Sequence, residues 1–268
     1  MKQWLFRIAI LGCILPAIAI SVAPAAAAGL NLGWAASTAE NTCPTSAGSA
    51  ADKTSTCLAN TGAAVAIGSA IAPANLSQVT AEEIVVDVQD TGTASNPGVL
   101  SDWWHFDAGS CRGQNGAVTP SLSFTANFDP ALDEGACQNY WGTAASGGIN
   151  FAPGVNGQNR ARISAVFAVA GASAGAFTPG SEYYLFRMSV DNRHTVSGAV
   201  PVCDGCADGI CIVFQSVKFD QPPGTPGGDV TVSGAATRQF VTWQGGSGDC
   251  TLVPVHRSTW GRVKSLYR

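Results

Sequence analysis

Apolar residues in this chain recur with a period of two. Leu122, Phe124, Ala126 and Phe128 alternate with Ser121, Ser123, Thr125 and Asn127, the pattern of a strand with one face on a core and one in water. Ile84, Val86 and Val88 stand against Glu83, Asp87 and Gln89, and Ile163, Ala165, Phe167 and Val169 against Arg160, Arg162 and Ser164. Tyr184, Phe186, Met188 and Val190 line a row opposite Tyr183, Arg187 and Ser189. With the runs 30–35, 63–71, 210–219, 229–233 and 239–243, about nine strands are predicted. The chain's 31 Gly and 14 Pro punctuate them, and no helical period of ten or more residues separates them. That excludes a helical bundle and argues against parallel βαβ units. The expected fold is an all-β antiparallel sandwich, of jelly-roll or immunoglobulin/cohesin-like type, over 29–244. The segments 89–101, 142–159 and 220–229 are expected as long connections.

The two ends differ from this middle. Lys2 and Arg7, the apolar stretch Ile8–Val22 and the small residues Ala26-Ala27-Ala28 before Gly29 form the pattern of a secretory signal peptide over 1–28. Pro16 interrupts the apolar run, which is shorter than the roughly 20 residues that span a bilayer. No membrane span is expected once the leader is removed. Residues 245–268 begin with Gly245-Gly246-Ser247-Gly248 and carry Arg257, Arg262, Lys264 and Arg268. Thr259 caps a predicted short basic amphipathic helix from Trp260. It serves either as a cap docked on the sandwich or as a tail read by export or anchoring machinery.

Removing Lys2 and Arg7 from the 14 basic residues leaves 12 against 18 acidic, net −6. A chain this acidic lacks the basic face that phosphate neutralisation needs, so nucleic acid is excluded as a partner. Removing Cys13 leaves eight cysteines, Cys43, Cys57, Cys111, Cys137, Cys203, Cys206, Cys211 and Cys250. An even number in an exported chain predicts four disulfides. Proximity pairs Cys43 with Cys57 and Cys111 with Cys137, and leaves the other four to pair among themselves, Cys250 tying the tail region to the 203–211 loop. In a reducing compartment Cys203, Cys206 and Cys211 with His194 would form a zinc knuckle; export favours disulfides, and neither metal nor cofactor is expected.

Catalytic patterns are weak. Gly171-Ala172-Ser173-Ala174-Gly175 matches the nucleophile elbow G-x-S-x-G, but an elbow leads into a helix and here Thr178-Pro179-Gly180 and another strand follow. His105, His194 and His256 are far apart in sequence. Asp107, Asp129 and Asp133 could serve a structural Ca2+, but no D-x-D-x-D-G loop is present and no ligands are assigned. The stronger signal is paired aromatics: Trp103-Trp104, Tyr140-Trp141 and Tyr183-Tyr184. Adjacent residues of an extended chain point to opposite faces. One ring of each pair is therefore expected to face outward, where a sugar or an apolar partner could stack. Trp103, Trp104, Tyr140, Trp141 and Tyr183 are the candidate binding residues; plugging the ends of the sandwich is the competing role.

Five strings carry a resemblance: Gly29-Leu30-Asn31-Leu32-Gly33-Trp34, Ser101-Asp102-Trp103-Trp104, Cys203-Asp204-Gly205-Cys206, Phe240-Val241-Thr242-Trp243-Gln244 and Thr259-Trp260-Gly261-Arg262-Val263-Lys264-Ser265-Leu266-Tyr267-Arg268. Together they resemble a group of bacterial exported β-sandwich proteins with the tail T-W-G-x-[VI]-K-x-L-Y-R. The resemblance implies export and brings no activity with it. At fold level, 160–191 also resembles cohesin and carbohydrate-binding sandwiches. The expected function is therefore a secreted or cell-surface protein of non-enzymatic binding or structural type, with a glycan or surface-protein partner. The alternatives are a secreted hydrolase with a loop-cleft site and a self-associating surface-layer subunit.

Overall fold

The computed structural model describes residues 28–91, 98–113, 121–132, 137–246 and 250. The segment up to residue 27 (expected as a signal peptide), Asp133, His256 and the predicted tail helix lie outside them. Two sheets, antiparallel except for the short β2–β13 pair, stack face to face, as the alternation predicts. One has four strands in the order β1 (Gly29–Trp34), β3 (Ala63–Ile71), β10 (Glu182–Asp191), β6 (Leu122–Thr125). The other runs β2 (Asp52–Lys53), β13 (Phe240–Trp243), β11 (Ile210–Asp220), β5 (Ala81–Asp90), β8 (Arg160–Ala168), β7 (Ser146–Pro153), with β12 (Val230–Ser233) also on β11. A small ribbon of β4 (Leu76–Val79) and β9 (Gly175–Phe177) sits apart. All nine expected strands are present. The four others are short, except β7, which replaces the connection expected over 142–159. Its Gly147, Gly148 and Pro153 look like loop residues, and an edge strand tolerates them.

The core lies between the sheets, where the inward rows Ile84, Val86 and Val88 and Ile163, Ala165 and Phe167 meet Phe186, Met188 and Val190. In β10 the alternation slips. Tyr184 pairs with Ser69 and Phe186 with Gly68, so Leu185 is a bulge residue. The slip puts Tyr183 and Leu185 in the main core with Phe186. Tyr184 goes instead to a second cluster on the outer face, with Phe128, Ile67 and the Cys43 and Cys137 sulfurs. The row read as Tyr184, Phe186, Met188, Val190 is thus broken after its first member, because a bulge inserts one unpaired residue. Gly68 permits it: a Cβ there would lie 2.1 Å from the Phe186 ring.

One side of the sandwich is closed. The Leu30 N–H donates to Gly234 O at 2.8 Å, Leu32 N–H to Arg238 O at 2.7 Å, and Trp34 N–H to Ala50 O at 2.9 Å, joining β1 to the segments that flank β12, β13 and β2. Across this seam Trp34 and Trp243 meet at 6.0 Å between ring centroids, and Trp103 stacks on Trp243 at 5.4 Å. Trp104 closes the group edge-on, 5.7 Å from Trp243. The Arg112 guanidinium, fully buried, lies 3.8 Å above the Trp103 ring. It donates to Trp103 O at 2.9 Å and pairs with Asp191 at 3.2 Å. Burial lowers its pKa to about 10, against the opposing pull of Asp191.

The disulfides join Cys43 to Cys137, Cys57 to Cys206, Cys111 to Cys203 and Cys211 to Cys250. Eight cysteines in four bridges and the tie from Cys211 to Cys250 agree with expectation, but the local pairs Cys43–Cys57 and Cys111–Cys137 do not form, and Cys203 and Cys206 join Cys111 and Cys57 rather than pairing within the 203–250 group. Sandwich strands that are neighbours in space are distant in sequence, so three bridges span 94, 149 and 92 residues. In the chain-entropy view such loops are worth about 4–5 kcal/mol each, more than the short loops expected. Non-reducing peptide mapping is expected to recover the 43–137 and 57–206 bridges and no 43–57 bridge. Replacing Cys57 and Cys206 together by Ala should lower Tm by about 5–15 °C in calorimetry.

Candidate functional site

The candidate aromatics are interior. Trp103 and Trp104 are fully buried in the tryptophan group, and Trp141 and Tyr183 are buried as well. Trp141 Nε1 donates to Val79 O at 3.0 Å, and the Tyr183 hydroxyl accepts from Thr178 N–H at 2.9 Å. Tyr140, half-buried, packs on Phe177 at 4.5 Å and donates its hydroxyl to Glu82 Oε2 at 2.6 Å. Trp103-Trp104 and Tyr140-Trp141 lie in loops rather than in regular extended strands and both rings of each pack inward, while Tyr184 points to the outer face but is covered there by Phe128 and the Cys43–Cys137 bridge. No stacking platform is built from them.

Glu82 has no access to solvent, and its Oε1 has no hydrogen-bond partner. Burial raises its carboxyl well above the ordinary value of 4.5, opposed by the Tyr140 hydrogen bond. Burial first, and the carboxyl second, raise the Tyr140 phenol. The pair is enclosed by Phe177, Trp141 and Tyr183.

The catalytic patterns do not assemble. Ser173 ends a 3-10 turn that passes directly into β9, with no helix after it. His194 Nδ1 contacts Pro201 O at 2.7 Å. His105 contacts Asp107 Oδ1 through Nδ1 and Leu100 O through Nε2, each at 3.2 Å. The ring thus sits beside one carboxylate and one carbonyl, with no serine hydroxyl among its contacts in the described residues. Cys203, Cys206 and Cys211 go to three different disulfides, which removes the zinc knuckle. The Glu182 carboxylate beside Cys43 and Cys137 is filled by Asn31, Ser69 and Thr45, and those sulfurs are bonded to each other.

What is open is the side of the sandwich opposite the tryptophan seam. There β6 and β7 are the edge strands of the two sheets. They are held together at one end by Asn127, whose side chain accepts from Ala145 N–H at 2.8 Å and donates to Ala145 O at 2.9 Å. Toward the other end they part around a half-open cleft of about 320 Å3 lined by Phe106, Asp107, Ala108, Leu122, Ile149, Asn150 and Phe151. Phe106 and Phe151 meet edge to face at 5.4 Å, and His105 holds Asp107 at the mouth.

The backbone of β7 faces this opening. Gly154 N–H donates to Arg160 O at 2.8 Å, and β7 pairs with β8 so that 146 is opposite 168. Antiparallel ladders alternate bonded and non-bonded pairs, so even-numbered residues of β7 bond to β8. The N–H and C=O groups of Gly147, Ile149 and Phe151 point out of the sheet, with no backbone partner among the described residues. The same register places these three side-chain positions in the inward row with Ile163, Ala165 and Phe167. Ile149 is nonetheless 37% exposed, with no strand of the described residues beyond β7 on that side.

Sequence reasoning named His105 and Asp107 but not their common position, and missed Phe106, Phe151 and Asn127. Phe151 falls in the segment read as a connection; its one signal is the apolar alternation Ile149, Phe151. No helix of the described residues is long and apolar enough to cross a membrane, and four disulfides fit an extracellular protein. No protein-family model matches the chain, and no curated protein matches it.

A carboxyl kept neutral by burial contributes stability that is complete below about pH 4.5 and lost as pH rises from there through its raised folded-state value. Glu82→Gln should erase that loss. Its Tm is expected to exceed wild type by about 3–6 °C at pH 8 and by under about 1 °C at pH 4, read by thermal unfolding at both pH values.

Proposed function

We propose that this protein is a secreted or cell-surface recognition domain without catalytic activity, exported through residues 1–28, whose partner is a polypeptide received at the β6–β7 opening. The observation that carries this reading is the row of three outward-facing β7 amides beside an apolar cleft. Such an edge accepts an added strand, whose main chain supplies hydrogen bonds while one side chain enters the cleft for specificity. A glycan is the less favoured partner, because the flat rings that would stack against it are in the core. The disulfides support a location outside the reducing cytoplasm. They also hold the 101–113 loop, which carries Phe106 and Asp107, through Cys111 and Cys203.

Selection of random displayed peptides on the disulfide-intact protein tests this reading. Enriched sequences should alternate apolar residues, and Ile149→Lys and Phe106→Ala should each weaken their binding by about tenfold or more, with Tm within a few degrees of wild type. A glycan array giving binding that the same variants abolish, with no peptide enriched, would overturn it.

A further inference from the structure

We infer that the polypeptide received at this opening is a second copy of the same chain, joined β7 to β7 in antiparallel register about a twofold axis at Ile149. The inference rests on the reading of this edge as a strand-accepting site and adds the identity of the strand.

The boundaries of the open edge select that register. Of the odd-numbered residues along it, Ala145 has its N–H and C=O occupied by Asn127, and Pro153 has no N–H. Between these two closed ends stand Gly147, Ile149 and Phe151. A twofold axis at Ile149 pairs Ile149 with its own copy and Gly147 with Phe151 of the partner subunit. Each pairing joins residues whose N–H and C=O face outward, so all three become bonded pairs in both directions, giving six hydrogen bonds by the antiparallel pattern. Beyond them Ala145 meets Pro153 of the partner subunit, and neither has an N–H left to satisfy. A register shifted by two residues leaves an open amide facing Pro153 or the capped Ala145. A register shifted by one turns bonded positions against non-bonded ones.

The side chains agree with this pairing. Phe151 of each copy lies across from Gly147 of the other, a large ring over a residue without a side chain, a cross-strand combination that shields a glycine edge. The two Ile149 side chains, each partly exposed in the single chain, cover one another. Exposed edges are ordinarily guarded by lysine or inward-pointing charge, yet Ser146–Pro153 contains no charged residue. In a chain of net charge −4, that makes β7 a stretch along which two copies meet without repulsion. An isologous contact of this kind closes at two copies and does not propagate. An edge of eight residues is smaller than a standard interface, so a reversible dimer with Kd on the order of 1–100 µM is expected.

Sedimentation velocity of the disulfide-intact protein from about 1 to 300 µM tests the inference. Expected is a concentration-dependent shift from monomer to dimer and no further. Ile149→Lys places two like charges on the axis and should weaken the dimer at least about tenfold. Val166→Lys should leave it unchanged, since Val166 is exposed on β8, outside the seam. A variant that loses its thermal transition would be replaced by Ile149→Thr, which keeps a β-branched side chain and removes apolar cover. A chain that stays monomeric while displayed peptides still bind it and not Ile149→Lys would overturn self-pairing and leave the docking reading standing. A monomer that binds no peptide would overturn both. Dimers or larger species insensitive to Ile149→Lys would overturn self-pairing alone.

Discussion

The contact between Trp34 and Trp243 is the constraint on which the rest of the molecule depends. One ring comes from the first strand of the four-stranded sheet and the other from the last strand of its partner. Two distant parts of the chain must therefore meet before either ring leaves water. Trp103 and Trp104 complete the group, and truncating a buried tryptophan costs about 3–5 kcal/mol. Trp34 Nε1 donates to Thr242 O at 2.8 Å and Trp243 Nε1 to Cys206 O at 2.7 Å. These two indoles thus bind the backbone of the strand and loop they pack against.

Around this group the chain uses cross-links where charge is scarce. Only 12% of residues are charged, and the most buried cation, Arg112, is held between a ring face and Asp191. Bridges over long sequence separations tie loops 55–61 and 101–113 to the 203–206 segment. The loops that carry Phe106 and Asp107 are thereby positioned by the same end of the molecule that the tryptophans close. Closing one side leaves the edge strands β6 and β7 on the other. The cleft exists because Asn127 joins them at one end only.

The strands were legible because a two-residue period survives in any strand with one wet face. The period failed where the backbone departs from it. The Leu185 bulge moved Tyr183 inward and Tyr184 outward, and nothing in the alternation of 182–191 marks that position. The edge strand β7 was illegible for a related reason: an edge needs no continuous apolar pattern, so Gly147, Gly148 and Asn150 resemble a loop. The paired aromatics were visible, but which face each ring takes depends on what packs against it. Half of the site, His105 and Asp107, was in view as residue types without a place; Phe106, Phe151 and Asn127 acquire meaning only where β6 and β7 approach.

Local chemistry thus determined the class of fold, the number of cysteines available for bridging and the net negative charge, since each follows from composition and short-range alternation. The tertiary structure decided which cysteines join, which aromatics are core and which sandwich edge stays open. Most of these are contacts between segments distant in sequence, and their formation depends on how two sheets pack rather than on any neighbour in the chain.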